Sequence, residues 1–509
     1  MKRFILYFVI ISLITSCQST KQSAKNQVQS ESSALAKTES TESKQVQDND
    51  KQESSSTKVE EKTDVPKDET LESPSESLNV QEKPVSEDLK FIQNLEKHLN
   101  AGNINAAIES FNTMPENLLK DADLKILQAS LLLSNGNIKE AENIVENILQ
   151  QNASNIDALE LSMNIAVLNG NKTKTNSLIK QILQADPNNA SANIQQAGQH
   201  TLNKKYKLAF NCYSAALKND SNNVDALFGC GQSSYYMGNF KDAISYLEKA
   251  LSLDSKHVMS YAFMGKVYGD YESYVKAANY VQKAIEVEPT RPEFYTDLGV
   301  YLQKQNRLDE AEKALTKAIE LESDYFLAYS YRAVLYKEQK QYMKALYDFY
   351  KVANTNSKYY YAYEEIGVLE WHEKDWQRSR SSFQRALNYN SKSVSYKLMI
   401  AATYLKEKNL FEAKNFLQKA MKGVDRASIE YEMLRLYHDQ GGTNAENKLS
   451  MRLKTIADAN AKGRMLYYMG LYYDLKGLSR VAEEYYNQVT AMQAPLFFEY
   501  NLAVWSTEK

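Results

Sequence analysis

Residues 258–291, VMSYAFMGKVYGDYESYVKAANYVQKAIEVEPTR, decide how this chain folds. Tyr261, Met264, Gly265 and Tyr268 recur at the three- and four-residue spacing of one helix face. Ala277 and Val281 do the same in a second segment, which Pro289 ends. The stretch therefore predicts two helices joined by a short turn. Small residues mark where the pair comes closest, and large ones fill the groove between neighbours.

Working outward, the same pattern returns every 34 residues, ten times without a gap. The windows begin at Asp88, Ala122, Ile156, Ala190, Val224, Val258, Pro292, Phe326, Tyr360 and Val394. The eighth residue is alanine or glycine in eight windows, Leu95 and Met163 being the exceptions. The twentieth is alanine in eight windows, with Thr175 and Ser379 in the others. The twenty-fourth is always large, from Phe111 through Val281 to Leu417. The seventeenth is large except at Lys172, and Tyr206, Tyr274 and Tyr342 among these read as core. Gly102, Gly136, Gly170 and Gly238 fall between the two helices of their windows, where a left-handed residue is useful.

This pattern resembles the tetratricopeptide repeat. The resemblance implies an all-α fold, a right-handed superhelical solenoid with an inner groove. After Gly423 the register breaks, although residues 428–462 still read as two helices around Gly441 and Gly442. It recovers with Gly470, Gly477, Ala482, Tyr486 and Val489, and a last helix, about Leu496 to Trp505, caps the stack. The expectation is about twelve helix pairs. They divide into a tyrosine-poor stretch at 88–223, regular tyrosine-rich repeats at 224–427, and a degenerate end at 428–509.

Two further segments precede the repeats. Lys2 and Arg3, the apolar run Phe4–Ile14 and then Thr15, Ser16 and Cys17 resemble a bacterial lipoprotein signal with its lipobox, residues 1–17. That resemblance implies lipidation of Cys17. Several acyl chains would anchor it durably in a membrane, where one would not. Gln18 in place of aspartate suggests the outer membrane, facing the periplasm. Residues 18–87 are rich in Ser, Gln, Glu and Lys, and they read as a disordered tether. Its reach is on the order of 45 Å.

Composition excludes several function classes. The formal net charge of -3 gives no electrostatic footprint for nucleic acid. Five histidines, His98, His200, His257, His372 and His438, lie far apart, and neither HExxH nor CxxC occurs, so a metal site lacks support. No phosphate loop, cofactor motif or nucleophile with its base is legible, so the chain reads as non-catalytic. Cys212 and Cys230 read as separate buried thiols, a bond between adjacent repeats being the alternative.

Tyrosine is the informative residue: of 36, all but Tyr7 lie from Tyr206 onward. Tyrosine and tryptophan offer rigid area with a polar tip, which suits recognition. The family resemblance implies that first helices line the groove. The candidate partner-binding residues are then Phe228, Gln232, Tyr235, Tyr236, Lys266, Asp270, Gln303, Lys304, Tyr361 and Trp371, with Trp371 foremost. The lysine–asparagine pair with which related domains grip C-terminal carboxylates is absent: Glu160 with Asn164 and Ala262 with Lys266 stand there. The expected function is a membrane-anchored scaffold that binds a protein or peptide in the bacterial cell envelope, in assembly, secretion or cell-wall enzyme regulation. A glycan- or small-ligand-binding protein with an aromatic groove is the alternative.

Overall fold

The computed structural model describes residues 86–442, 444–493 and 495–508. The segments read as signal peptide and tether, Cys17 included, lie outside the described residues except at their last two positions. There, Ser86 caps the first helix by accepting from the Leu89 amide, and Glu87 opens it. The described residues form α-helices in tandem packed pairs, with no strand among them. Twelve pairs are followed by a single last helix. The described residues divide into two compact bodies, one up to Gln195 and one from Gln196 onward.

Each 34-residue window maps onto one helix pair, and from Ala122 onward its first residue opens the first helix. Val224–Tyr236 has 13 residues and Phe240–Leu253 has 14; the next pair is Val258–Asp270 and Tyr274–Val287. The period closes because both turns are set chemically. At the link into the first helix, Asp121, Asn155, Asn189, Asn223, His257 and Ser393 each accept a backbone N–H as N-cap. At the turn inside the pair, window position 15 is left-handed every time. Gly238 sits there at φ 78°, but so do Lys204, Glu272, Asn306, Lys340, Lys374 and Lys408, at φ 55–63°. A side chain at such φ is strained, and only glycine adopts it freely.

The small residues have a steric cause. A Cβ on Gly265 would lie 2.6 Å from Val281 Cγ2 and 3.3 Å from the Ala277 carbonyl. Gly231 and Gly299 face Leu247 and Leu315 in the same way. Positions eight, twenty and twenty-four thus meet in one contact. The eight alanines at position twenty and all ten residues at position twenty-four are buried. Each core is built from three helices. Ala262 of one first helix, Val281, Ala284 and Ile285 of its partner, and Phe294 of the next first helix form one such cluster. In the first body, Phe91, Leu95, Ala107, Phe111, Leu124 and Leu127 repeat the plan. Burying one such side chain contributes about 1.5–3 kcal/mol, so each pair depends on its neighbour.

Two expectations need correction. Tyr206, Tyr274 and Tyr342 are half-buried, not core. They open their second helices at the turn, at the margin of the packed pair. Tyr206 stacks on Tyr236 at 4.5 Å, and Tyr342 meets His372 at 4.5 Å. The last helix runs from Glu499 to Thr507, three residues later than its apolar pattern suggests, with Glu499 itself wholly buried. In the irregular stretch, the second helix Leu410–Ala420 stops short of Gly423. The pair Ile429–Asp439 and Ala445–Leu453 then turns through left-handed Gln440, Gly441 and Asn444. Register returns in Ala459–Leu475 and Ser479–Thr490, where a Cβ on Gly470 would meet Tyr486 at 2.7 Å.

Candidate binding face

The ten candidate residues all lie on first helices, as the 34-residue frame requires. The structure gathers five of them. Phe263, fully buried, is the hub: Phe228 meets its ring at 5.3 Å, Tyr235 at 6.0 Å and Tyr236 at 6.2 Å. Lys266 Nζ stands 5.5 Å above the same ring. The Tyr235 hydroxyl is hydrogen-bonded to Asp270, and burial, then that carboxylate, push its pKa up and keep the phenol protonated. Tyr236 is 43% exposed, so the cluster reaches solvent through a phenol ring.

The face continues along residues that the sequence reading did not single out. Tyr301 lies over Gly269, where a Cβ would come within 2.7 Å of its ring. Its hydroxyl is pushed up by burial, then by Asp297, Tyr235 and Asp270, so these groups share one neighbourhood with Tyr331. Phe263, Asp297, Tyr331 and Glu365 share window position six, but their differing chemistry left no pattern to read. Gln303 donates to Glu338 at 2.7 Å, and Lys337 pairs with Glu365 at 2.6 Å, tying neighbouring repeats together. Lys304 and Asp270 are exposed, while Gln232 and Gln303 are half-buried.

Two candidates fall elsewhere. Tyr361 joins a different group, stacked on Tyr360 at 4.2 Å and 5.9 Å from Tyr359. Trp371 is only 8% exposed and packs edge-on against Trp376 at 4.8 Å. Its helix, Tyr360–His372, meets the chain's own last helix at His372. Trp371 is therefore a packing residue, a correction to its place as foremost contact.

Two buried carboxylates, Asp348 and Glu370, are partnered structurally. Arg332 holds Asp348 through two bonds, at 2.8 and 2.9 Å, and reaches Thr316 at 3.0 Å. Glu370 accepts from Tyr350 and from Ser382. Cys212 and Cys230 are free thiols: Cys212 bonds Gln196 at 3.3 Å, and burial pushes Cys230 up to about 11. Among the described residues, no group of three or more His, Cys, Asp or Glu could hold a metal ion. No helix of the described residues is long and apolar enough to cross a membrane.

The described residues form helix pairs repeating every 34 residues, a fold like that of tetratricopeptide repeats, with a tyrosine-rich first-helix face. Residues 280–313 and 314–347 match the tetratricopeptide repeat family model. Residues 169–250 match that of the anaphase-promoting complex, cyclosome, subunit 3. Among solved structures, the chain is similar to a tetratricopeptide repeat protein from Parabacteroides merdae, at 16% identity over 49% of this chain and 98% of that one (TM-score 0.35). It is similar to the APC/C hetero-tetramer Cut9–Hcn1, at 17% identity over 62% of each chain (TM-score 0.43). It is also similar to YrrB, described as a TPR protein with an unusual peptide-binding site, at 19% identity over 35% of this chain and 93% of that one (TM-score 0.30). No curated protein matches the chain.

Proposed function

We propose that this protein is a non-catalytic adaptor, held to a bacterial envelope membrane by lipid on Cys17, that binds a protein or peptide along its first-helix face. The observation that carries the reading is the continuous cluster around Phe263. Phe228, Tyr235 and Tyr236 supply rigid apolar area, and Lys266 and Asp270 supply charge at its margin. Asp270 and Asp297 suit a partner segment that presents a cation beside an apolar side chain. Assembly, secretion and cell-wall enzyme regulation are the settings that suit a tethered adaptor. The glycan reading loses its main aromatic with the burial of Trp371.

Photo-crosslinking residues placed at Tyr236 and Lys304, with Lys241 on a second helix as control, test the binding face in cells. Protein adducts at the first two positions and none at the third are expected. Adducts only at Lys241 overturn the assignment of the face. Separately, Cys17→Ala is expected to move the protein from the membrane to the soluble fraction; retention on the membrane defeats the anchor.

A further inference from the structure

The chain's last helix lies against the inner turn and second helix of the repeat that begins at Phe326 and against the end of the first helix Tyr360–His372. Glu499–Thr507 packs against Ser479–Thr490 and Ala459–Leu475, and then against Tyr360–His372, more than 120 residues earlier in the chain. The Trp505 indole N–H donates to the Tyr342 hydroxyl at 2.9 Å. Its ring sits 5.2 Å from Tyr342 and 4.4 Å from His372. Lys340 pairs with Glu508 at 2.8 Å. At the other end, the Phe498 ring is 5.8 Å from Phe383 and 6.1 Å from Tyr396.

The contacts are graded along this segment. Glu499, Leu502 and Ala503 are buried, and the Tyr468 hydroxyl donates to Glu499 at 2.9 Å. Towards the tip, Trp505 is half-buried, Ser506 and Glu508 are exposed, and the Lys340–Glu508 pair is open to solvent on both sides. Exposed pairs hold weakly. A nine-residue helix has little stability away from its support. Terminal segments of this kind open far more cheaply than the body they sit on.

We propose that Phe498–Glu508 is a releasable intramolecular ligand, withholding the surface that Lys340, Tyr342 and His372 form where the repeat beginning at Phe326 meets the first helix Tyr360–His372, until a partner helix replaces it. The stripe Phe498, Leu502, Trp505 and Glu508, at spacings of four, three and three, defines what that surface accepts. The occupant is an amphipathic helix with two aromatic anchors about two turns apart and a carboxylate one turn beyond the second. This rests on the adaptor reading, because His372 stands at the end of a first helix of that reading's face.

The test uses the full chain and a fluorescein-labelled peptide of residues 496–509. In the Trp505→Ala/Glu508→Ala double variant, where the latch is loosened, the peptide is expected to bind about tenfold more tightly than to wild type, since apparent affinity scales with the competent fraction. Adding His372→Ala to that variant is expected to abolish the gain. In wild type, the amides of 499–508 are expected to exchange with deuterium about a hundredfold faster than those of Ala459–Leu475. Equal protection of the two segments identifies a permanent cap and overturns the proposal, even if the variant fails to fold. So does a peptide that binds wild type and variant alike, or neither. Failure of the Tyr236 and Lys304 crosslinks with the latch behaviour intact would instead sink the general adaptor reading.

Discussion

Replacing Gly265 by alanine sets two effects of similar size against each other. Helix propensity favours alanine by about 1 kcal/mol at an interior helical position. Sterics oppose it: the added Cβ lies 2.6 Å from Val281 Cγ2, inside the distance at which real Cβ atoms sit. Val281 is fully buried and β-branched, so it cannot swing its methyl aside within its rotamer well. The helices must part by a few tenths of an ångström, against an overpacking penalty of about 1–3 kcal/mol. The net expectation is destabilisation by about 1 kcal/mol. Ala129 over Val145 shows that the pairing exists where the helix spacing is set for it; at Gly265 it is set for glycine. Unfolding of a long repeat array is not two-state, so the assay is native-state hydrogen exchange on Val258–Asp270 and Tyr274–Val287. Exchange there should quicken about fivefold. At Gly367 the neighbouring Phe383 ring atoms are 3.1 Å away and can tilt, so the same substitution should be near neutral. If Gly265→Ala slows exchange, close contact is not why position eight is small, and the steric account of the repeat fails.

Three further outcomes follow from particular residues. Lys374, left-handed at φ 63°, should accept Gly with a gain of about 0.5–1 kcal/mol, seen as a raised melting temperature; an unchanged or lower value would deny the strain at position 15. Asp348→Asn leaves the Arg332 charge half-paired in the core and should cost about 3–5 kcal/mol in native-state hydrogen exchange of Phe326–Glu338 and Tyr342–Thr355, whereas Arg332→Leu/Asp348→Leu should recover most of that; equal losses in both would count against the buried pair. His257 caps its helix with Nδ1, and burial holds its pKa below the ordinary value, Asp225 opposing from 4.0 Å. A folded pKa below the unfolded one means this stabilisation is complete above the unfolded value and lost as pH falls through the folded one. Melting temperature should therefore drop between pH 7 and 5 more in wild type than in His257→Asn, which keeps the cap that Asn223 makes one repeat earlier; parallel curves would refute it.

Much of this molecule follows from chemistry that acts within one window. A small residue at positions eight and twenty, a large one at twenty-four and a capping side chain at thirty-four each act on partners no more than sixteen residues away. A 34-residue pattern therefore suffices to place helices from Ala122 to Lys406 at the residues where the structure has them. The same logic identified the first helices as carriers of Phe228, Tyr235, Tyr236, Lys266 and Asp270. It could not reveal that Phe263 is their hub, since a buried phenylalanine at position six is indistinguishable in sequence from ordinary core.

What only the tertiary structure decided is which parts of that face are covered. Trp371 has the spacing of a groove residue, yet it is buried edge-on against Trp376. Tyr206, Tyr274 and Tyr342 have the size of core residues, yet they sit at turns and are half-buried. Cover at Tyr342 and His372 comes partly from a partner that carries no periodic mark, Trp505, which meets Tyr342 across 163 residues. Local periodicity fixes where each helix begins and which stripe it buries against its neighbour. The packing of a non-repeating segment is settled by surface complementarity, which exists only once the helices are in place.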